Sequence, residues 1–385
     1  MTQQHHHQRR PGYHLTPGLR WMNDPNGLVW HDGRYHVFFQ HNPHGDTWGN
    51  MSWGHASSPD LVRWTEHPVA IPCDADEEVW SGSVVLDHRD TSGLGGGAPV
   101  LVAIYTSAYP DGRQAQSLAY SRDGGETWVK HSGNPVLDRG SKAFRDPKVF
   151  WQEPGHWVMV AVEAEAGEVL FHRSDDLLTW EHLSTFAPGL APGSLWECPD
   201  LFALPVGGRL VWVLVVSLNP DPDGDGSATR YFVGDWDGVA FTPTSGFRRL
   251  DHGRDCYAAV TFADEPSGRR LLLGWMGNWE YQAATPTTPW RGAMTVPREL
   301  SLVDVDGDVR LVQWPPRELA AAEGEVRAVA PFDLAGSWEF EAGACCRVDV
   351  EFEPGDADAV GLDLAVGGGA ATRLRWDTRT GRLAL

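Results

Sequence analysis

The stretch W-M-N-D-P-N-G-L-V-W, residues 21–30, crowds turn formers between apolar flanks. Asn-Asp-Pro-Asn-Gly reads locally as a turn, and the bulky residues around it mark that turn as packed. Its echoes decide the fold. D-P-N-G-L-V-W from Asp24 is answered by S-G-S-V-V-L-D from Ser81 and D-P-K-V-F-W from Asp146. P-D-L-F-A-L from Pro199 and Y-A-A-V-T-F from Tyr257 complete the series, at successive offsets of about 57, 65, 53 and 58 residues. After a turn, the last four are each followed by an apolar second strand: V-L-V-A-I-Y (100–105), W-V-M-V-A-V (157–162), L-V-W-V-L-V-V (210–216) and L-L-L-G-W-M (271–276). A later echo marks three units: S-S-P-D-L-V-R-W (57–64), S-R-D-G-G-E-T-W (121–128) and R-S-D-D-L-L-T-W (173–180).

Helical periodicity is nearly absent, so the class is all-β. Five units of four short strands over roughly 300 residues, none large enough to bury its own core, predict a five-bladed β-propeller over residues 13–318. A β-sandwich would also yield many short strands, but not this repeated motif order. Residues 1–12, including His5–His7, read as a disordered polar tail. Beyond P-P-R-E-L (315–319), the segments 337–342, 347–353, 359–366 and 371–377 alternate with period two. They predict a partial C-terminal β-sandwich over 319–385, truncated relative to a full one. A truncated sheet leaves an exposed edge open to pairing, an oligomerisation route through this module.

The formal net charge of −21, from 52 acidic and 31 basic residues, argues against a nucleic-acid or anionic-membrane partner. Only Lys130, Lys142 and Lys148 among the basic residues are lysines, which reads as codon bias. Cys73, Cys198, Cys256, Cys345 and Cys346 are odd in number and lack metal spacing, which predicts reduced thiols. The N-terminus lacks an apolar signal region, and no run reaches membrane-spanning length, so the expected location is cytoplasmic.

In a propeller the innermost strands converge on one axial funnel. Asp24, Asp146 and Glu197 all fall on such strands, and clustered acids repel one another unless chemistry needs them. A Ca²⁺ or Mg²⁺ cage is one reason for such a cluster. The only Asp-rich loop, D-P-D-G-D-G (221–226), reads as a surface turn, so no metal and no cofactor is expected. Glycoside hydrolysis is the other reason: one carboxylate attacks or activates water and one carboxylic acid protonates the leaving oxygen. Trp48, Trp53, Trp80, Trp196 and Trp279 lie near the same motifs and offer flat faces to sugar rings. For each acid taken alone a structural role competes: turn capping for Asp24, a salt bridge for Asp146, a rim charge for Glu197. The repeat places all three in one funnel, and that favours chemistry.

W-M-N-D-P-N-G (21–27), F-R-D-P-K (144–148) and W-E-C-P-D (196–200), in this order, resemble glycoside hydrolase family 32, the family of invertases, exo-inulinases and levanases. Q-H-N-P (40–43), W-G-N-M-S-W-G-H-A (48–56), W-S-G-S (80–83), D-C-Y-A (255–258) and P-R-E-L (297–300) extend the resemblance over most of residues 10–320. It implies a retaining enzyme that releases terminal β-linked fructose from sucrose, fructo-oligosaccharides or fructans. Asp24 would be the nucleophile, Glu197 the acid/base and Asp146 the stabiliser of the transition state. Asn23, Gln40, Trp48, Trp80, Ser81, Arg145, Asp255, Tyr257 and Trp279 match positions that bind the sugar. The family commonly carries Phe where this chain has Trp80, which keeps the aromatic wall. Transfer of fructose to another sugar on the same site, or an inactive sugar-binding propeller, are the competing readings. On charge grounds Glu197, near two anions, is expected to have the raised pKa, with Arg145 and turn amides keeping Asp24 and Asp146 ionised.

Overall fold

The computed structural model describes residues 10–343, 345–365 and 371–384. The tail expected at residues 1–12 lies largely outside these. Of its described part, the Arg10 guanidinium sits 4.4 Å from the Trp290 ring centroid and donates to Pro17 O at 2.7 Å. The chain divides into units 1–322 and 323–385.

The first unit is built from five antiparallel sheets, each wound in chain order from its first strand. The first strands are Arg20–His31, Glu78–Asp87, Phe144–Gln152, Leu195–Val206 and Tyr257–Thr261. Successive first strands touch, and the fifth touches the first, so they form a closed ring. Backbone bonds seal it: Trp30 N donates to Ala263 O at 2.9 Å and Ala263 N to Leu28 O at 2.8 Å. Trp290–Arg291 also pairs in parallel with Arg20–Trp21 on the free edge of the first sheet. The hairpin turn Asp32-Gly33 has φ of 47° and 75°, the left-handed conformations that a two-residue turn matching strand twist requires.

The core lies between sheets. Val102, Ile104 and Leu118 of the second sheet pack with Val149, Met159 and Leu170 of the third. Val160 and Phe171 of the third meet Leu214 and Phe232 of the fourth, and the other neighbouring pairs repeat this arrangement. Each sheet therefore buries both faces against its neighbours, as strands rich in Val, Leu and Phe on both sides require.

Three expectations need correction. The local turn read at Asn-Asp-Pro-Asn-Gly does not interrupt the chain: it lies inside the continuous strand Arg20–His31, which absorbs the turn formers as two bulges. D-P-D-G-D-G is not merely a surface turn, because Asp221 is buried and bound by Arg230 Nε at 2.7 Å. In the second unit, described by itself, Ala359–Ala365, Ala371–Asp377 and Arg382–Ala384 form a three-stranded sheet. The alternating segments 337–342 and 347–353 form no strand, since alternation supplies a face but a strand also needs a ladder partner. Cys73, Cys198, Cys256, Cys345 and Cys346 are free thiols. Among the described residues no helix is long and apolar enough to cross a membrane.

The first sheet also carries a histidine stack. His36, His55 and His67 sit on adjacent strands, with ring centroids 5.3 and 4.4 Å apart and His36 Nδ1 3.0 Å from His55 Nε2. Burial and then the neighbouring His67 and His36 push His55 down to about 2; burial and then His31 push His36 down to about 4. A base held neutral in the fold takes up protons on unfolding, so its stability is complete above about pH 6.5 and is lost as pH falls. His55→Phe is expected to shrink the difference in unfolding free energy between pH 7 and pH 5 by about 2 kcal/mol. Denaturant titrations at the two pH values measure it, and an unchanged difference would mean that His55 is not held neutral.

Candidate active site

Each first strand carries the same irregularity: two of its residues oppose one on the next strand. Asn23-Asp24 faces Gln40, Trp80-Ser81 faces Thr106, and Asp146-Pro147 faces Ala161. Cys198-Pro199 faces Val216 and Ala258-Ala259 faces Gly274. A bulge bends the strand and re-aims its side chains. Proline suits such a position because it has no N–H to lose from the ladder, which explains Pro147 and Pro199 in D-P-K and C-P-D. Asp146, Cys198 and Ala258 have φ of 62°, 47° and 51°, a left-handed backbone that non-glycine residues rarely adopt. Side chains hold it in place: Asp146 N donates to Thr106 Oγ1 at 2.8 Å, Cys198 N to Asp146 Oδ2 at 2.9 Å and Ala258 N to Ser217 Oγ at 3.0 Å.

The bulges gather the three acids. Asp24 Oδ1 accepts from Asn23 Nδ2 at 2.9 Å and its Oδ2 from Ser81 Oγ at 2.8 Å. Cys198 Sγ bridges two carboxylates, 3.5 Å from Asp24 Oδ2 and 3.6 Å from Asp146 Oδ2. Burial, then the adjacent acids, raises the Cys198 pKa, so it stays a thiol and a weak donor. Glu197, the neighbour of Cys198, takes Arg145 Nη2 at 2.9 Å and Nε at 3.2 Å on Oε1, and the Tyr257 hydroxyl on Oε2.

Charge is distributed differently from the expectation. Arg145 Nε is 4.0 Å from Asp146 and closer to Glu197. Burial is the main cause raising Asp146, to about 7; Arg145 opposes it, while Glu197 and Asp24 add to it. Asp24 is raised by burial and then by Glu197, against the bonds from Asn23, Ser81 and Cys198. Both aspartates are thus raised, with burial the first cause at each and the neighbouring acids adding to it.

Of the other expected residues, Asn23, Gln40, Ser81, Arg145 and Tyr257 are buried in this cluster, with Gln40 Nε2 donating to Val79 O at 3.1 Å. Trp80 is half-buried and meets the exposed Trp48 edge-on at 5.8 Å. Trp279 stacks on Trp21 at 6.2 Å. Asp255 stands apart at the rim, exposed and bound by the Tyr281 hydroxyl. Trp53 and Trp196 do not face the funnel; both are fully buried between sheets, Trp196 stacked on Phe247 at 5.3 Å. Sequence reasoning missed Thr106 and Gln114, which hold Asp146 N and Arg145 Nη1. It also missed an ion pair below the acids, where Lys148 Nζ lies 3.3 Å from Asp200 Oδ2 and donates to Thr261 O at 2.5 Å. Lys148 and Asp200 end the motifs F-R-D-P-K and W-E-C-P-D, and that position was the available signal.

Residues 14–315 match the model of the glycosyl hydrolases family 32 N-terminal domain. The chain belongs to glycosyl hydrolase family 32. It is 44% identical over 396 residues to a levanase of Bacillus subtilis, covering 97% of this chain and 58% of the levanase. Among solved structures, the exo-inulinase of Aspergillus awamori superposes with a TM-score of 0.76 at 43% identity, over 80% of this chain and 67% of that one. The fructofuranosidase of Schwanniomyces occidentalis complexed with fructose gives 0.76 at 41% identity, over 80% and 63%. The chain thus spans about three-fifths of the levanase's length.

Proposed function

We propose that this family 32 chain is a retaining β-fructofuranosidase that releases terminal fructose from sucrose, fructo-oligosaccharides or fructans. In this reading the five sheets are the blades of a five-bladed propeller, and residues 323–385 are part of a β-sandwich. The supporting observation is the convergence of three carboxylates from three inner strands, two joined by the Cys198 thiol and the third held by Arg145 and Tyr257. Asp24, aimed by its bulge and fixed by Asn23 and Ser81, attacks the anomeric carbon of the fructosyl unit. Glu197 protonates the leaving oxygen, then takes a proton from the water that hydrolyses the fructosyl-enzyme. Asp146 grips ring hydroxyls and stabilises positive charge as the oxocarbenium-like transition state forms. Asn23, Gln40, Ser81 and Arg145 supply hydrogen bonds to fructose, and Trp48, Trp80 and Trp279 the apolar wall.

The test is the stereochemistry and identity of the product. Fructose released from sucrose is expected first as the β-anomer in a proton NMR time course, with glucose in equimolar amount. First appearance of the α-anomer would refute covalent catalysis by Asp24. Accumulation of fructo-oligosaccharides at high sucrose would mark a transferase instead. Sucrose, raffinose, inulin and levan, assayed side by side, set the chain-length preference.

A further inference from the structure

The Asp-rich loop D-P-D-G-D-G (221–226) joins the second and third strands of the fourth sheet, and the chemistry above makes no use of it. Its carboxylates are taken by guanidinium groups. Arg230 Nε and Nη2 bond Asp221 at 2.7 and 2.8 Å, Arg230 also reaches Asp223, and Arg249 Nη1 bonds Asp225 at 2.5 Å. The loop so fixed grips Asn278, which follows the second strand of the fifth sheet and is fully buried. Asn278 spends its whole amide there. Nδ2 donates to Asp225 O and Arg254 O at 2.9 Å and to Ser227 O at 3.1 Å, while Oδ1 accepts from Ser227 N and Glu280 N at 3.1 Å. Gly226 permits the approach: its φ is 88°, and a Cβ on it would lie 2.2 Å from Asn278 Oδ1.

The next residue is Trp279, and the same loop ties it down, since Trp279 N donates to Ser227 Oγ at 3.1 Å. The ring lies on Trp21, with centroids 6.2 Å apart and planes 25° from parallel, and 5.0 Å from Trp275. Trp21 Nε1 in turn donates to Asn23 Oδ1 at 2.6 Å, and Asn23 Nδ2 to Asp24. Among the described residues the Trp279 indole makes no hydrogen bond of its own, so its place is set by its backbone and by ring contacts. We propose that Asn278 is a positioning residue that acts through Trp279, holding the aromatic wall at its height against the fructosyl ring. The proposal rests on the fructosidase reading above, in which Trp279 belongs to that wall. Contact between a flat ring and a sugar is made in the ground state and the transition state alike, so its loss raises KM and spares kcat.

Sucrose kinetics on the wild type, Asn278→Ala, Trp279→Ala and the double variant, with melting temperatures on the same samples, test it. Asn278→Ala is expected to raise KM about tenfold with kcat within about twofold of wild type. In the Trp279→Ala background the same substitution is expected to change KM by less than about twofold, because the wall it positions is gone. Ser227→Ala removes only the hydroxyl that Trp279 N bonds; it is expected to raise KM about threefold, and it carries the test if Asn278→Ala does not fold. Lower melting temperatures with KM unchanged, a loss confined to kcat, or a KM rise of equal size with and without Trp279 would overturn the proposal and leave the fructosidase reading standing. A wild type that releases no fructose from sucrose, inulin or levan would overturn that reading and the proposal with it.

Discussion

Asp24→Asn is expected to lower kcat for fructoside hydrolysis by about 10⁴-fold or more while leaving the fold intact. A carboxamide keeps the shape that Asn23 and Ser81 surround but cannot form the glycosyl bond. The effect on stability has the opposite sign to the effect on rate. The pKa of Asp24 is raised by burial and then by Glu197. A carboxyl with a raised folded pKa stabilises the fold below its unfolded pKa, and that contribution is lost as pH rises through the folded value. At neutral pH the native Asp24 therefore carries an electrostatic cost that Asn removes, and the variant is expected to melt no lower than the wild type. The same shift governs the wild-type pH profile: attack needs ionised Asp24, so the acidic limb of kcat/KM lies above the ordinary aspartate range. Glu197→Gln removes the like charge and is expected to move that limb down. Kinetics with differential scanning calorimetry on the same samples separate the cases. Turnover of Asp24→Asn within about 100-fold of wild type would mean that another group is the nucleophile.

The acids themselves were legible in the sequence because each sits in a repeat unit beside a proline or within a turn-rich motif. Strand order within the first unit followed from the same repeat. What the repeat conceals is the bulge. Side chains alternate along a strand, and one extra residue inverts that alternation. Reading across W-E-C-P-D therefore cannot say which way Trp196 faces, and the structure turns it into the interior while Glu197 faces the acids. For a similar reason the partners of Arg145, Thr106 and Gln114 are not readable: each contact joins different strands whose relative height is set by packing. The charge expectation failed on that point, since Arg145 adjoins Asp146 in sequence but lies against Glu197 in space.

The ion pair beneath the acids carries the second large expected effect. Lys148 and Asp200 are 8% and 1% exposed. Asp200 Oδ2 also accepts from Thr261 N at 2.7 Å and Thr261 Oγ1 at 2.8 Å. Lys148 is two residues beyond Asp146, Asp200 three beyond Glu197, and Thr261 four beyond Tyr257. The cluster thus laces together the three strands that present those groups. Burial lowers the Lys148 pKa, and Asp200 is the chief opposing influence. Removing one member leaves a buried charge without its counter-ion, so Lys148→Met is expected to destabilise the protein by about 3–5 kcal/mol. Arg270 softens this only partly, because its own charge is shared with Asp264 and Glu265 as well as Asp200. Replacing both partners, Lys148→Met with Asp200→Leu, removes the stranded charge and is expected to recover much of the loss, giving a coupling energy of several kcal/mol in the double-mutant cycle. Urea unfolding of the wild type, both single variants and the double variant measures it. Single variants within about 1 kcal/mol of wild type would show that solvent reaches the pair and that packing between the sheets holds the three strands together without it.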